Sequence, residues 1–168
     1  AEGRDTVICA NLPYYITSPV IMRVLESRLP IKSMTVMVQK EAADRICAAP
    51  GTRECGAISC AVSYFSKPEL LFRVNRGSFM PAPNVDSAVI RLDIRQDGGL
   101  PPEHEKRLFR MIRAGFSQRR KQLVNPLSGE FGISKQELSA KFAEIGIKPT
   151  ARAEELTLED YMKIEAAL

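Results

Sequence analysis

The chain has 168 residues, a net charge of +4 and a hydrophobic fraction of 45%. That length suits one ordinary domain or two small ones, and that composition excludes a disordered or fibrous chain. No apolar run approaches a membrane span, and no charged-then-apolar leader is visible.

In chain order, Thr6 to Ala10 reads as a buried strand. Ser18-Pro19 opens a helix to about Arg28, with serine as cap and proline in the first turn, and Ile21, Val24, Leu25 and Leu29 on one face. Lys32 to Gln39 holds a short buried strand, and Lys40-Glu41 starts a helix to about Ala48. Residues 49–52 form a loop and Ala57 to Phe65 a third helix. Leu70 to Val74 and Val85 to Ile94 read as strands, the second with clear alternation. This order predicts an α/β fold, the second half of a doubly wound sheet ending in an antiparallel pair. Gln96 to Pro102 is the linker, so the domains fall at 1–96 and 97–168. Beyond it Leu108, Ile112 and Phe116 recur every fourth residue. Ser134 to Glu137 is a capping box, Gly146 ends that helix, and Thr157 to Asp160 opens a last one. The second domain is a small helical bundle.

Charge is uneven. Lys106 to Lys121 holds seven Lys/Arg and no acid, whereas Gln122 to Leu168 holds five against eight Asp/Glu. Such a patch suits a phosphate backbone, and Arg110, Arg113, Arg119, Arg120 and Lys121 are its candidate RNA contacts. The alternatives are a solvated helix face, or pairing of Arg119 and Arg120 with Glu154 or Glu155 across the domain interface. Cys9, Cys47, Cys55 and Cys60 form no C-x-x-C pair and His104 is the single histidine, so no metal site is expected. The cysteines read as reduced core residues.

The candidate chemistry lies at Asn11-Leu12-Pro13-Tyr14, directly after the first strand. The Asn11 side-chain oxygen can accept one N–H of an exocyclic amine, and a backbone carbonyl fixed by the following proline can accept the other. The Tyr14 ring can stack on the base that carries the amine. Drawing both hydrogens aside exposes a lone pair that can attack an electrophilic methyl group. The plain alternative is a strand and turn whose two tyrosines pack on a core. Tyr15 is given no chemistry, and Glu41 reads as a helix-start residue favoured by the dipole. Phe79, ahead of Pro81 and Pro83, is an aromatic ring on a stiff loop, suited to a flipped base or to covering the sheet edge.

Four segments carry a resemblance: Asn11 to Ile16, Val38 to Ile46, Phe79 to Val89 and Phe116 to Lys121, with Arg152 to Leu156 as a fifth. Their order and spacing resemble the ribosomal RNA adenine dimethyltransferases of the small subunit. The large-subunit resistance methyltransferases share part of the pattern. The resemblance implies a Rossmann-like sheet and S-adenosylmethionine as cofactor. It implies dimethylation of two adjacent adenines in small-subunit ribosomal RNA, by Asn11, Leu12, Pro13, Tyr14 and a base-stacking Phe79. Asn11 is also the one cofactor-binding residue it implies here. It further implies a cytoplasmic monomer acting on the small ribosomal subunit during ribosome biogenesis, with no membrane or metal partner. The family's glycine-rich cofactor turn is missing, since no G-x-G occurs. The chain is therefore expected to be the C-terminal part of a longer enzyme, inactive alone. A large-subunit enzyme, a non-catalytic RNA-binding or assembly module, and a structural fragment remain alternatives.

Overall fold

The structure, a computed structural model, describes residues 6–168. The first five residues, which read from sequence like the middle of a loop, lie outside this range. Two compact units divide the chain: one runs up to Ala48 and resumes over Ala61–Gly98, and the other takes Ala49–Cys60 and Gly99–Leu168.

The first unit is built on a four-stranded sheet in the order β1-β2-β4-β3, with β1 Thr6–Asn11, β2 Ile31–Gln39, β3 Ser66–Val74 and β4 Ser87–Ile94. β1 and β2 run parallel, joined through α1 (Thr17–Glu26), while β4 is antiparallel to both β2 and β3. α2 (Lys40–Ile46) follows β2, and α3 (Ala57–Phe65) leads into β3. The mixed α/β architecture and the antiparallel closing pair are those expected from the sequence. β2 and β4 lie inside the sheet, and Met34, Val36, Val38, Ala88, Ile90 and Leu92 are fully buried there. Burying each of the larger of these side chains contributes about 1.5–3 kcal/mol.

Four local expectations are corrected. β1 is not buried: it forms the sheet edge, paired only with β2 among the described residues, and Val7 and Cys9 are exposed. An apolar run therefore marks a strand without fixing how many neighbours it has. Ser18 is not a helix cap. α1 grows out of a 3-10 turn at Tyr14–Ile16, where the Pro13 carbonyl accepts from Ile16 N at 3.1 Å and Thr17 Oγ1 at 3.4 Å. α1 also ends at Glu26, and Arg28 turns the chain with a φ of 53°, which leaves Leu29 exposed. β3 begins four residues before its expected start, Ser66 rather than Leu70, because Pro68 is tolerated on an edge strand.

The second unit is helical: α4 (Pro102–Ser117), α5 (Val124–Phe131), α6 (Lys135–Glu144) and α7 (Leu158–Ala167). Leu108, Met111, Ile112, Leu123, Leu127, Leu138, Phe142, Tyr161 and Ile164 form its core. Ser134 Oγ accepts from Glu137 N, which is half of the expected box, whereas Thr157 and Asp160 cap α7 reciprocally. Gly146, with a φ of 77°, stops α6 in the left-handed region that glycine allows. α5 is not evident from sequence. Pro126 and Gly129 lower its propensity, but Pro126 sits in the first turn, where a missing N–H costs nothing.

Candidate active site

β1 and β2 end, and β4 begins, at one edge of the sheet. The register sets Asn11 beside Met37 and Gln39 beside Ser87, with Val74 on the other side of Ser87. The carboxyl ends of parallel strands are where α/β folds bind ligands. The loops that leave this edge carry Asn11 to Tyr14, Gln39 to Glu41 and the segment from Asn75 to Asp86.

Asn11 closes β1 with an exposed side chain that makes no hydrogen bond among the described residues. Leu12 is buried, and its N–H donates to the Met37 carbonyl at 3.2 Å, which anchors the motif to β2. No described donor reaches the Leu12 carbonyl, whereas the next carbonyl, Pro13, is occupied by the turn. Pro13 holds φ −57° and ψ 131° and so directs the chain away from the strand. Among the described residues, Asn11 Oδ1 and the Leu12 carbonyl are acceptors with no donor. Tyr14 is half-buried, with its hydroxyl 2.7 Å from Ser87 Oγ, while Tyr15 is 85% exposed. The expectation of two tyrosines packed on a core is met by neither ring fully. Sequence reasoning missed Ser87, whose signal is a lone hydroxyl at the head of an apolar strand.

Phe79 is half-buried and follows a 3-10 turn at Arg76–Ser78, its N–H donating to the Arg76 carbonyl at 3.3 Å. The Met80–Pro81 peptide is cis. Asp86 ties this loop down: its Oδ1 accepts from Arg76 N and its carbonyl from Lys40 N, both at 3.0 Å. No ring contact joins Phe79 to Tyr14 among the described residues. Between Gln39–Glu41, Asn75–Arg76 and Asn84–Asp86 lies a polar cleft of about 430 Å3. Glu41 stands exposed in the first turn of α2.

The basic residues sit on the second unit. α4 stops at Ser117, so Arg119, Arg120 and Lys121 occupy the turn after it rather than the helix. Arg110 pairs with Glu130 and covers the Phe131 ring at 4.9 Å. Arg119 faces Glu154 at 3.7 Å and donates to the Arg53 carbonyl. That pairing lies within the second unit rather than across a domain interface. Glu155 instead caps the Arg152 N–H at 2.8 Å. Arg113, Arg120 and Lys121 are exposed and make no ion pair among the described residues.

The cysteines also divide. Cys55 and Cys60 are buried with their sulfurs 3.5 Å apart, Cys47 is half-buried and Cys9 is exposed, so Cys9 is not the core residue expected. Burial, with help from Asp44, pushes the Cys47 thiol up to about 11. Among the described residues no group of three His, Cys, Asp or Glu is placed to hold a metal, and no helix is long and apolar enough to cross a membrane.

The family model for ribosomal RNA adenine dimethylase matches residues 1–168. The chain belongs to that family. It is 47% identical over 164 residues to a ribosomal RNA small subunit methyltransferase A of Lachnoclostridium phytofermentans, covering 96% of this chain and 57% of the relative. The corresponding Alkaliphilus oremlandii protein is 45% identical over 160 residues, covering 95% and 56%. The chain thus spans just over half the length of these curated relatives. Among solved structures, a dimethyladenosine transferase from Plasmodium falciparum superposes with a TM-score of 0.80 at 24% identity, over 98% of this chain and 66% of that one. The 23S rRNA methyltransferase ErmE gives 0.71 at 22% identity, over 100% and 68%. At such identities these two likenesses show the fold alone.

Proposed function

We propose that this chain carries the amine-binding edge of an S-adenosylmethionine-dependent enzyme that dimethylates two adjacent adenines of small-subunit ribosomal RNA. The observation that carries this reading is the pair of unengaged acceptors, Asn11 Oδ1 and the Leu12 carbonyl, set beside the anchored Tyr14 ring. Two acceptors aimed at one NH2 group polarise its nitrogen toward a methyl donor, and stacking on Tyr14 and Phe79 contributes on the order of 1–3 kcal/mol per base. A flipped or looped-out adenine is the substrate form that such an edge admits. When bound, S-adenosylmethionine supplies an electrophilic sulfonium methyl. Asn11, exposed and unpartnered at a strand's carboxyl end, fits a position between that group and the amine. No general base is required, because the neutral amine attacks and its proton then leaves to water. Arg113, Arg120 and Lys121 supply sequence-independent contacts to phosphates, which hold the RNA without selecting the base. The protein acts as a cytoplasmic monomer on the small ribosomal subunit during ribosome biogenesis.

The test is methyl transfer from labelled S-adenosylmethionine to small ribosomal subunits that lack adenine dimethylation. This chain is run alone and joined to the preceding portion of the Lachnoclostridium phytofermentans relative. Transfer to two adjacent adenines by the joined protein, with none by the chain alone, supports the reading. RNA binding without transfer by either moves the assignment to a non-catalytic assembly module. Transfer to large-subunit RNA instead selects the resistance-type enzyme.

A further inference from the structure

Tyr14 and Ser87 are 73 residues apart in sequence, yet their hydroxyls are 2.7 Å apart. Ser87 is fully buried and is the first residue of β4, an inner strand of the sheet. Its backbone is fixed on both flanks, by Gln39 of β2 and Val74 of β3. The preceding residue is fixed too, since Asp86 binds the Arg76 and Lys40 N–H groups. Tyr14, by contrast, lies in a short 3-10 turn outside the sheet, held locally by the Ile16 N–H on the Pro13 carbonyl. A tyrosine ring in such a turn has two side-chain torsions to lose before it can serve as a flat platform. The hydroxyl pair removes that freedom by tying the far end of the ring to an inner strand of the sheet. Tyr15 shows the alternative: its ring, one position on, is 85% exposed. The tie also explains why a tyrosine is useful at position 14. A phenylalanine offers the same stacking face but leaves the buried Ser87 hydroxyl without its partner.

We infer that Ser87 is a positioning residue for methyl transfer, fixing the Tyr14 ring at the angle that stacks the target base. This rests on the base-stacking reading of Tyr14. Either hydroxyl can donate in the pair, and Ser87, fully buried, acts through the ring.

The test uses the full-length enzyme and a double-mutant cycle of Ser87→Ala and Tyr14→Phe. Each single variant removes one end of the hydroxyl pair and keeps the ring. Each is expected to lower kcat about five- to tenfold, the equivalent of one hydrogen bond. RNA affinity is expected to move little, and Tm to fall modestly in Tyr14→Phe, which leaves the buried Ser87 hydroxyl unpaired. The double variant is expected to be no worse than either single one, because both remove the same interaction. A 2-aminopurine at the target position should lose stacking quench equally in all three. Additive losses, or a Ser87→Ala enzyme with unchanged kcat and quench, overturn the positioning role. Should Ser87→Ala unfold, Tyr14→Phe alone still decides: a kcat equal to that of the parent overturns the inference. Tyr14→Ala separates the two levels. If it abolishes turnover while Tyr14→Phe keeps the kcat of the parent, stacking stands and positioning falls. If Tyr14→Ala is fully active, the stacking reading falls and takes the inference with it.

Discussion

Arg119 Nε lies 3.7 Å from Glu154 Oε2, a carboxylate oxygen that is buried and has no hydrogen bond of its own. The same guanidinium donates to the Arg53 carbonyl. Arg119 therefore compensates a charge and joins two segments of the second unit. Arg119→Ala is expected to destabilise that unit by about 1–3 kcal/mol, the cost of leaving a buried acceptor uncompensated. Chemical denaturation measures this. Unchanged stability would return Arg119 to the set of RNA contacts.

Among the described residues, the side chains of Arg113, Arg120 and Lys121 make no ion pair or hydrogen bond. Replacing all three with glutamine is expected to leave Tm unchanged and to weaken RNA binding. The slope of log affinity against log salt should fall by about 2–3, roughly one released counterion per lost phosphate contact. An unaltered slope would show that the phosphates are met elsewhere.

Gly115 is closely packed within the helical unit. A Cβ there would stand 2.7 Å from Leu123 Cδ1 and 3.2 Å from Ala153 Cβ. Leu123 and Ala153 are fully buried and have little room to yield. Gly115→Ala gains about 1 kcal/mol of helix propensity but costs about 1–3 kcal/mol in overpacking, so a lower Tm is expected. A higher Tm would mean that Leu123 repacks freely.

The thiols should label in an order set by exposure and by thiolate fraction. Cys9 is exposed and reacts first with a thiol reagent at neutral pH. Cys47, raised to about 11, reacts slowly, and its rate climbs as pH rises toward that value. Cys55 and Cys60 are buried and wait for unfolding. Because the folded pKa of Cys47 lies above its ordinary value, its contribution to stability is present below the unfolded pKa and is lost as pH rises toward 11. Mass spectrometry of partially labelled protein reads the order, and early labelling of Cys60 would contradict the packing.

Much of this was legible in the residues. The alternation from Val89 to Ile94 specifies one strand face, and Thr157 with Asp160 writes its own cap, because both signals are local. What depended on distant neighbours was not. Nothing in Thr6 to Asn11 says that the strand is an edge, and nothing near Pro126 says that a helix survives it. The strand end at Asn11 and the turn after Pro13 could be read because strand, asparagine and proline are contiguous. The Tyr14–Ser87 pair could not, because it forms only when β4 inserts between β2 and β3. The spending of Arg119 and Arg110 on Glu154 and Glu130 was equally hidden, since a count of charges along the chain does not show which of them meet.

The measurement that bears most directly on the amine-polarising edge is single-turnover methyl transfer by the complete enzyme carrying Asn11→Ala, with RNA affinity measured in parallel. The predicted result is a loss of about 10²-fold or more in the transfer rate, comparable to removing one preorganised hydrogen-bonding group from an active site. RNA affinity should stay within about twofold, because phosphate contacts elsewhere dominate binding. A transfer rate equal to that of the parent enzyme would contradict the assignment of Asn11 as the acceptor that prepares the adenine amine.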